Sequence, residues 1–204
     1  MMNLKTALKQ LEALRAGGKM MRLAAEEWAS DFQILVSTIL SARTRDEVTI
    51  VVAENLFKKY PTAETLSKAK VRDVERIIKP VNFYRNKTKN IINCSKELVE
   101  NFKDIVPHDL ESLISLSGVG RKTANVFLVE HGKHALPVDT HVFYISRKLG
   151  WAKNDNPHKV EEELRQLFPK KYWNRINSTL VRFGKTHTSR KQKDKILEEI
   201  KRIK

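Results

Sequence analysis

Two glycines stand two positions apart in the run Leu116-Ser117-Gly118-Val119-Gly120-Arg121-Lys122-Thr123-Ala124-Asn125-Val126. Between amphipathic stretches this spacing allows a tight reversal, because glycine adopts backbone angles that other residues resist. It also removes the side chains that would keep an external group off the main chain. The amides of Gly118, Gly120 and Arg121 would then point outward at a helix start, where the dipole and the N–H groups favour an anion such as a phosphate diester. An ordinary corner between two helices fits the same residues, since Gly-X-Gly alone is a weak signal. A dinucleotide-binding turn does not fit: no strand precedes the glycines and a third glycine is missing. Lys122, just inside the following helix, can place a positive charge beside a bound phosphate. Asp139, directly before Thr140 at a second predicted helix start, holds the position of a capping residue.

The elements that must position these groups read as helices throughout. Phe32, Leu35, Val36, Ile39 and Leu40 recur at the spacing of a core-facing helical stripe. Val48, Val51, Val52 and Leu56 repeat the pattern up to Pro61. Leu66 and Ala69 mark a short helix, and Val71, Val74, Ile77 and Ile78 another that Pro80 ends. Ile91, Leu98, Val99 and Phe102 share one longer face. Leu110, Leu113, Ile114 and Leu116 form a turn or two ahead of the glycines. The helix from Arg121 to His131 has Gly132 at its exit. Asp139 opens a helix with Val142, Ile145, Ser146 and Leu149 on one side. Asn156-Pro157 is a cap followed by proline at the first helical position, leading into Val160, Leu164 and Leu167. Trp173, Ile176, Leu180 and Phe183 make the next helix, predicted to end near Gly184, and Ile196, Ile200 and Ile203 the last. No stretch alternates like a strand, so the fold class is all-α.

Composition narrows the partner. The 204 residues carry 39 Lys plus Arg against 24 Asp plus Glu, a net charge of +15, which puts a polyanion first among candidate ligands. Twelve basic residues against three acidic ones fall between Lys170 and Lys204, spread over two helices and their link, as a phosphate-facing surface would have them. A hydrophobic share of 41% is enough for a core. The single cysteine, Cys94, excludes a disulfide framework, a cysteine zinc ribbon and a cluster held by four thiolates of this chain. The amino-terminal segment lacks a signal-peptide pattern, and no window approaches the roughly 20 apolar residues of a membrane span. The expectation is an intracellular, monomeric protein, cytoplasmic if its partner is the polyanion that the charge suggests. His131 and His134 do not make a zinc site, so no metal ligand is assigned.

Leu116 to Val126 resembles the helix-hairpin-helix of the endonuclease III family of DNA glycosylases. The similarity extends through Val138-Asp139-Thr140-His141-Val142-Phe143 and back to Leu40-Ser41-Ala42-Arg43-Thr44-Arg45-Asp46, covering roughly residues 30 to 188. It implies a two-lobed fold: a six-helix barrel domain at 22–133 carrying the hairpin, a second domain made of 1–21 and 134–204, and a DNA cleft between them.

The same resemblance implies residue roles. Lys122 becomes the nucleophile that attacks the sugar C1′, which requires a neutral amine and so a pKa below the free value of about 10.4. The imine that results acidifies the C2′ proton, and elimination of the 3′ phosphate nicks the strand. Asp139 becomes the carboxylate that stabilises positive charge on the sugar while still capping its helix. Leu116, Gly118, Val119, Gly120, Arg121 and Thr123 form the backbone clamp. Arg43 stands where relatives usually carry an inserting glutamine, and Phe83, in Asn82-Phe83-Tyr84, where many carry Gly-Leu-Tyr; both are read as wedges filling the space of a flipped nucleotide. A surface arginine and a core phenylalanine are the plainer readings of those two residues. Ser41 and His141 border the base pocket. A monovalent cation on hairpin carbonyls around Leu116 and Val119 is implied by relatives alone.

One departure stands out. Relatives usually hold a 4Fe–4S cluster with four cysteines near the carboxy terminus, whereas Phe183-Gly184-Lys185-Thr186-His187-Thr188-Ser189-Arg190-Lys191 contains none. The cluster's structural duty then falls to packing by Trp173, Leu180, Phe183, Ile196 and Ile200. Its DNA-facing loop passes to the basic run from Lys185 through Arg190 and Lys191 to Lys195. The expected function is a bifunctional glycosylase and abasic-site lyase removing oxidised pyrimidines from duplex DNA in base excision repair. The rivals are a thymine or uracil glycosylase acting opposite guanine, disfavoured by Lys122, and a non-catalytic helix-hairpin-helix module that only grips DNA.

Overall fold

The computed structural model describes residues 2–204, and all the regular structure among them is helical. The helices are α1 (Leu4–Gly17), α2 (Asp31–Ser41), α3 (Asp46–Lys59), α4 (Ala63–Ser67), α5 (Val71–Ile78), α6 (Tyr84–Phe102), α7 (Leu110–Ser115), α8 (Arg121–Glu130), α9 (Thr140–Leu149), α10 (Pro157–Leu167), α11 (Trp173–Thr186) and α12 (Arg190–Lys201). None is long and apolar enough to cross a membrane. The chain divides into two compact units, one of Arg22–His131 and one joining the residues up to Met21 with Gly132–Lys204.

In the unit Arg22–His131, α2 is the central helix. Phe32, Leu35, Val36, Ile39 and Leu40 are all buried, as their spacing predicts. It packs on α3, α6 and α8, while α6 also carries α4 and α5. Ser30 caps α2 through its hydroxyl, which accepts the Gln33 N–H at 3.3 Å, and Asp31 adds a carboxylate to the first turn, where the helix dipole favours it.

The other unit closes around Leu11 and Leu14 of α1, Val142 and Ile145 of α9, Leu164 of α10, Phe183 of α11 and Leu197 of α12. Trp173, Leu180, Phe183 and Ile200 lie in this core, with Ile196 packed on its margin. Each fully buried side chain of this size contributes about 1.5–3 kcal/mol, so the set makes a substantial apolar centre without any inorganic group. Two buried indoles keep their N–H groups paired: Trp151 donates to Gln10 Oε1 at 2.6 Å and Trp173 to the Phe168 carbonyl at 2.7 Å.

Two details differ from the sequence expectation. The buried stripe of α3 is Thr49, Val52, Ala53, Leu56 and Phe57, leaving Val51 exposed; this register turns the large Phe57 ring inward at the cost of burying one hydroxyl, which Thr49 donates to the Arg45 carbonyl. Val71 and Ile114 are likewise exposed. As expected, α11 ends near Gly184, at Thr186 two residues on. That glycine lies in the last turn, where a side chain pressed against it leaves no room for a Cβ, as described below.

Cys94 is fully buried in α6, and burial pushes its thiol up to about 12. The thiolate is the reacting species, so a disulfide-exchange reagent at pH 8 should leave the folded protein untouched and titrate one thiol per chain after unfolding in guanidinium. Rapid native labelling would show that this helix opens.

Candidate functional site

The reversal between α7 and α8 is built from its backbone upward. The N–H of Leu116 donates to the Leu113 carbonyl at 3.2 Å, and that of Val119 to the Leu116 carbonyl at 3.1 Å. Gly118 takes φ +79°, and a Cβ there would lie 2.7 Å from Asn90 Cβ of α6, so both the angle and the space demand glycine. Gly120 differs. Its φ is −88°, and an added Cβ would meet nothing within 4 Å. The first glycine makes the turn; the second leaves an open approach to the main chain.

The two sides of the hairpin are fixed by burial. Leu116, Val119 and Thr123 turn their side chains inward, so only their backbone is offered to a ligand. Ser117 is clamped to α6, its N–H at 2.6 Å and its hydroxyl at 2.5 Å from the Glu97 carboxylate. Gly120 caps α8 without a side-chain acceptor, and the first turn contains Arg121 and Lys122 but no acid. Both are half-buried. Cations at the positive end of a helix run against the dipole, an arrangement that an anion would reverse. α12 repeats it: Arg190 and Lys191 open the helix, exposed, with no acid in the first turn. Lys185 is half-buried in the last turn of α11. The Arg190 guanidinium lies over the Tyr144 ring at 5.1 Å, and the Tyr144 hydroxyl donates to the Asp194 carboxylate.

Asp139 is the N-cap of α9. Its Oδ1 accepts the Val142 N–H at 2.8 Å, which fixes the direction of the carboxylate and leaves Oδ2 for other work. His141, two residues on, packs closely on α11: a Cβ at Gly184 would fall 2.2 Å from His141 Nδ1. This contact explains the buried glycine inside α11. Ser41 ends α2 with its hydroxyl donated to the Thr38 carbonyl at 2.8 Å.

Arg43 and Phe83 meet. The guanidinium sits 5.0 Å from the ring centroid, and both residues are in the left-handed region, at φ +56° and +58°. Phe83 is 55% exposed, so it is not a core phenylalanine. Holding two bulky residues at positive φ costs about 1–2 kcal/mol each, and such strain persists only where neighbours impose it. The neighbours are identifiable. Asn82 donates its side-chain N–H to the Arg43 carbonyl at 2.5 Å and its backbone N–H to Thr44 Oγ1 at 3.2 Å.

Beneath them lies a residue that the sequence reading missed. Lys87 is 6% exposed, and its ammonium donates to the carbonyls of Leu40 at 2.7 Å and Ala42 at 2.5 Å and to Thr44 Oγ1 at 3.2 Å. Three donors are thus spent on the carboxy-terminal end of α2, where a cation suits the helix dipole. Burial pushes the amine down to about 8. Its place on the stripe Lys87, Ile91, Ser95 and Leu98 was the available signal: a lysine on an apolar helical face needs internal acceptors.

Residues 36–170 match the HhH-GPD superfamily of base excision DNA repair proteins. Endonuclease III of Thermotoga maritima is 47% identical over 155 residues, spanning 76% of this chain and 73% of the relative; that of Bacillus subtilis is 37% identical over 161 residues, spanning 78% and 74%. Among solved structures, a trapped endonuclease III–DNA covalent intermediate superposes with a TM-score of 0.84 at 30% identity, covering 93% of this chain and 89% of that one. A thermostable thymine-DNA glycosylase shares the fold, with a TM-score of 0.75 at 20% identity over 87% of each chain.

The two glycines should respond differently to a methyl group. Gly118→Ala should lower unfolding stability by about 2 kcal/mol or more, from left-handed strain plus the Asn90 clash. Gly120→Ala should stay within about 1 kcal/mol of the parent. Urea unfolding of both variants checks the contrast.

Proposed function

This chain belongs to the endonuclease III family, within the HhH-GPD superfamily of base excision DNA repair proteins, and from that premise we infer that Lys122 and Asp139 carry its chemistry. The protein is a DNA glycosylase with abasic-site lyase activity, and duplex DNA is its partner. Oxidised pyrimidines are the proposed substrates. The observation that carries the residue assignment is the position of Lys122 on the first turn of α8, directly after a glycine with open space beside it.

The steps follow from the groups. A backbone phosphate rests against the main chain at Gly118 and Gly120, attracted by the helix terminus and by Arg121. The target nucleotide leaves the stack, and the Arg43–Phe83 pair fills the gap and supports the opposite strand. The neutral amine of Lys122 attacks C1′ as the C1′–N bond to the base breaks, the departing base carrying away the electron pair and gaining a proton. Asp139, its direction set by the Val142 amide, stabilises the positive charge that develops on the sugar. The amine bonded to C1′ then opens the sugar ring to an imine. Loss of the C2′ proton expels the 3′ phosphate, and water releases the enzyme.

His141 and Ser41 are placed at the rim of the base pocket in this reading, and Lys185, Arg190 and Lys191 along the phosphate path. The fold family implies two inorganic groups. The residues do not fit a 4Fe–4S cluster: the chain has one cysteine, and Cys94 is buried in α6. A monovalent ion on the Leu116 and Val119 carbonyls is compatible with the hairpin, since the Leu116 oxygen keeps one lone pair beside its bond from Val119; such an ion would add positive charge facing the phosphate.

Borohydride reduction tests the assignment. The wild-type protein should form a covalent adduct with a duplex containing thymine glycol or an abasic site, and Lys122→Ala should form none while still binding the duplex. An undiminished adduct in Lys122→Ala would overturn the nucleophile, and turnover of a T:G mismatch in place of thymine glycol would overturn the substrate class. Lys87→Met should loosen the wedge pair. It should slow single-turnover base release about tenfold, about 1.4 kcal/mol of barrier, with a much smaller effect on trapping at a preformed abasic site, which has no base to extrude.

A further inference from the structure

We propose that Asp31, His108 and His131 form a binding site for a divalent transition-metal ion of the zinc class, a site separate from the repair chemistry and independent of it. The three residues are 77 and 100 positions apart in sequence, yet their ligand atoms lie within 4.8 Å of one another. Asp31 opens α2, His108 lies in the link ahead of α7, and His131 follows the last turn of α8.

The hydrogen-bond roles argue for a cation. His131 Nδ1 is 2.8 Å from the Phe127 carbonyl, which can only accept, so the ring N–H is on Nδ1. A neutral imidazole then presents a lone pair at Nε2. That lone pair faces Asp31 Oδ1 at 2.9 Å, while the other carboxylate oxygen faces His108 Nε2 at 2.6 Å. At His131 a lone pair facing a carboxylate oxygen requires a proton or a metal ion between the two, while the His108 ring can present either a donor or a lone pair at Nε2. An imidazole whose far N–H is donated to a backbone carbonyl is the usual posture of a metal-bound histidine. Two histidines and a carboxylate are also a common zinc donor set, with a fourth position open to water.

Packing supports the posture. The His131 ring stacks at 4.2 Å from the Phe127 centroid, and the His108 ring meets the same phenylalanine edge-on at 5.4 Å. His131 is the inner ligand, with 15% of its side chain exposed, whereas His108 at 38% and Asp31 at 44% leave a path for an ion. Around a tetrahedral zinc, ligands at about 2.0 Å stand about 3.3 Å apart. The N···O pairs at 2.9 Å and 2.6 Å would widen by about 0.4 Å and 0.7 Å, within reach of side chains this exposed. A bound ion would clasp the start of α2 to the exit of α8.

Protein stripped with a chelator and dialysed tests the site with zinc or cobalt salts alone. Cobalt(II) should give the visible ligand-field bands of a tetrahedral site at one ion per chain. Zinc at a hundredfold excess over its dissociation constant should raise the melting temperature of the metal-free protein by about 5–10 °C. Both effects should vanish in His131→Gln and weaken in His108→Gln, which alters the more exposed ligand and tests the site even if the first variant is unstable. Absence of the bands and the shift in the wild type would overturn the proposal. So would their persistence in Asp31→Asn/His108→Gln, which would mark an adventitious ion on His134 or His158.

Discussion

One face of α6 holds the functional parts of the unit Arg22–His131 in register. Phe83 precedes the helix; Lys87, one turn in, pins the end of α2; Asn90 presses on Gly118; Glu97 grips Ser117. These residues recur along a single rigid rod with a rise of about 1.5 Å per residue. The distance between the Arg43–Phe83 pair and the hairpin is therefore set by helix geometry, not by loop conformation. In the proposed mechanism, filling the stack at one point while the Lys122 amine reaches a sugar at another depends on such a fixed span.

The charged groups follow a consistent logic. Where a cation faces the carboxy-terminal end of a helix, as Lys87 does at α2, it is satisfied internally. Where cations stand at helix starts, at Arg121 and Lys122 and again at Arg190 and Lys191, the first turns contain no acid. The first arrangement serves the fold. The second disfavours the free protein slightly and is relieved by a polyanion, which is how a net charge of +15 becomes directional.

Much of this was legible in the residues. Periodicity located the core of α2, α9 and α11, and the capping roles of Asp139 and Asn156 followed from residue type and position. The hairpin and its lysine were legible because glycine spacing is a local signal. What was hidden is non-local. Gly184 does stand near a helix exit, but only the approach of His141 shows why that position has no room for a side chain. Val51 looked buried because a β-branched residue fits either of two adjacent registers. The meeting of Asp31, His108 and His131 leaves no trace in spacing, since the start of α2, the link ahead of α7 and the exit of α8 must be brought together before those side chains converge.

The left-handed backbone at Arg43 and Phe83 carries a cost in durability. Glycine or asparagine at either position would relax the chain. The guanidinium and phenyl ring held there instead make a blunt, cationic tip, so conformational energy is stored in an outward-facing pair.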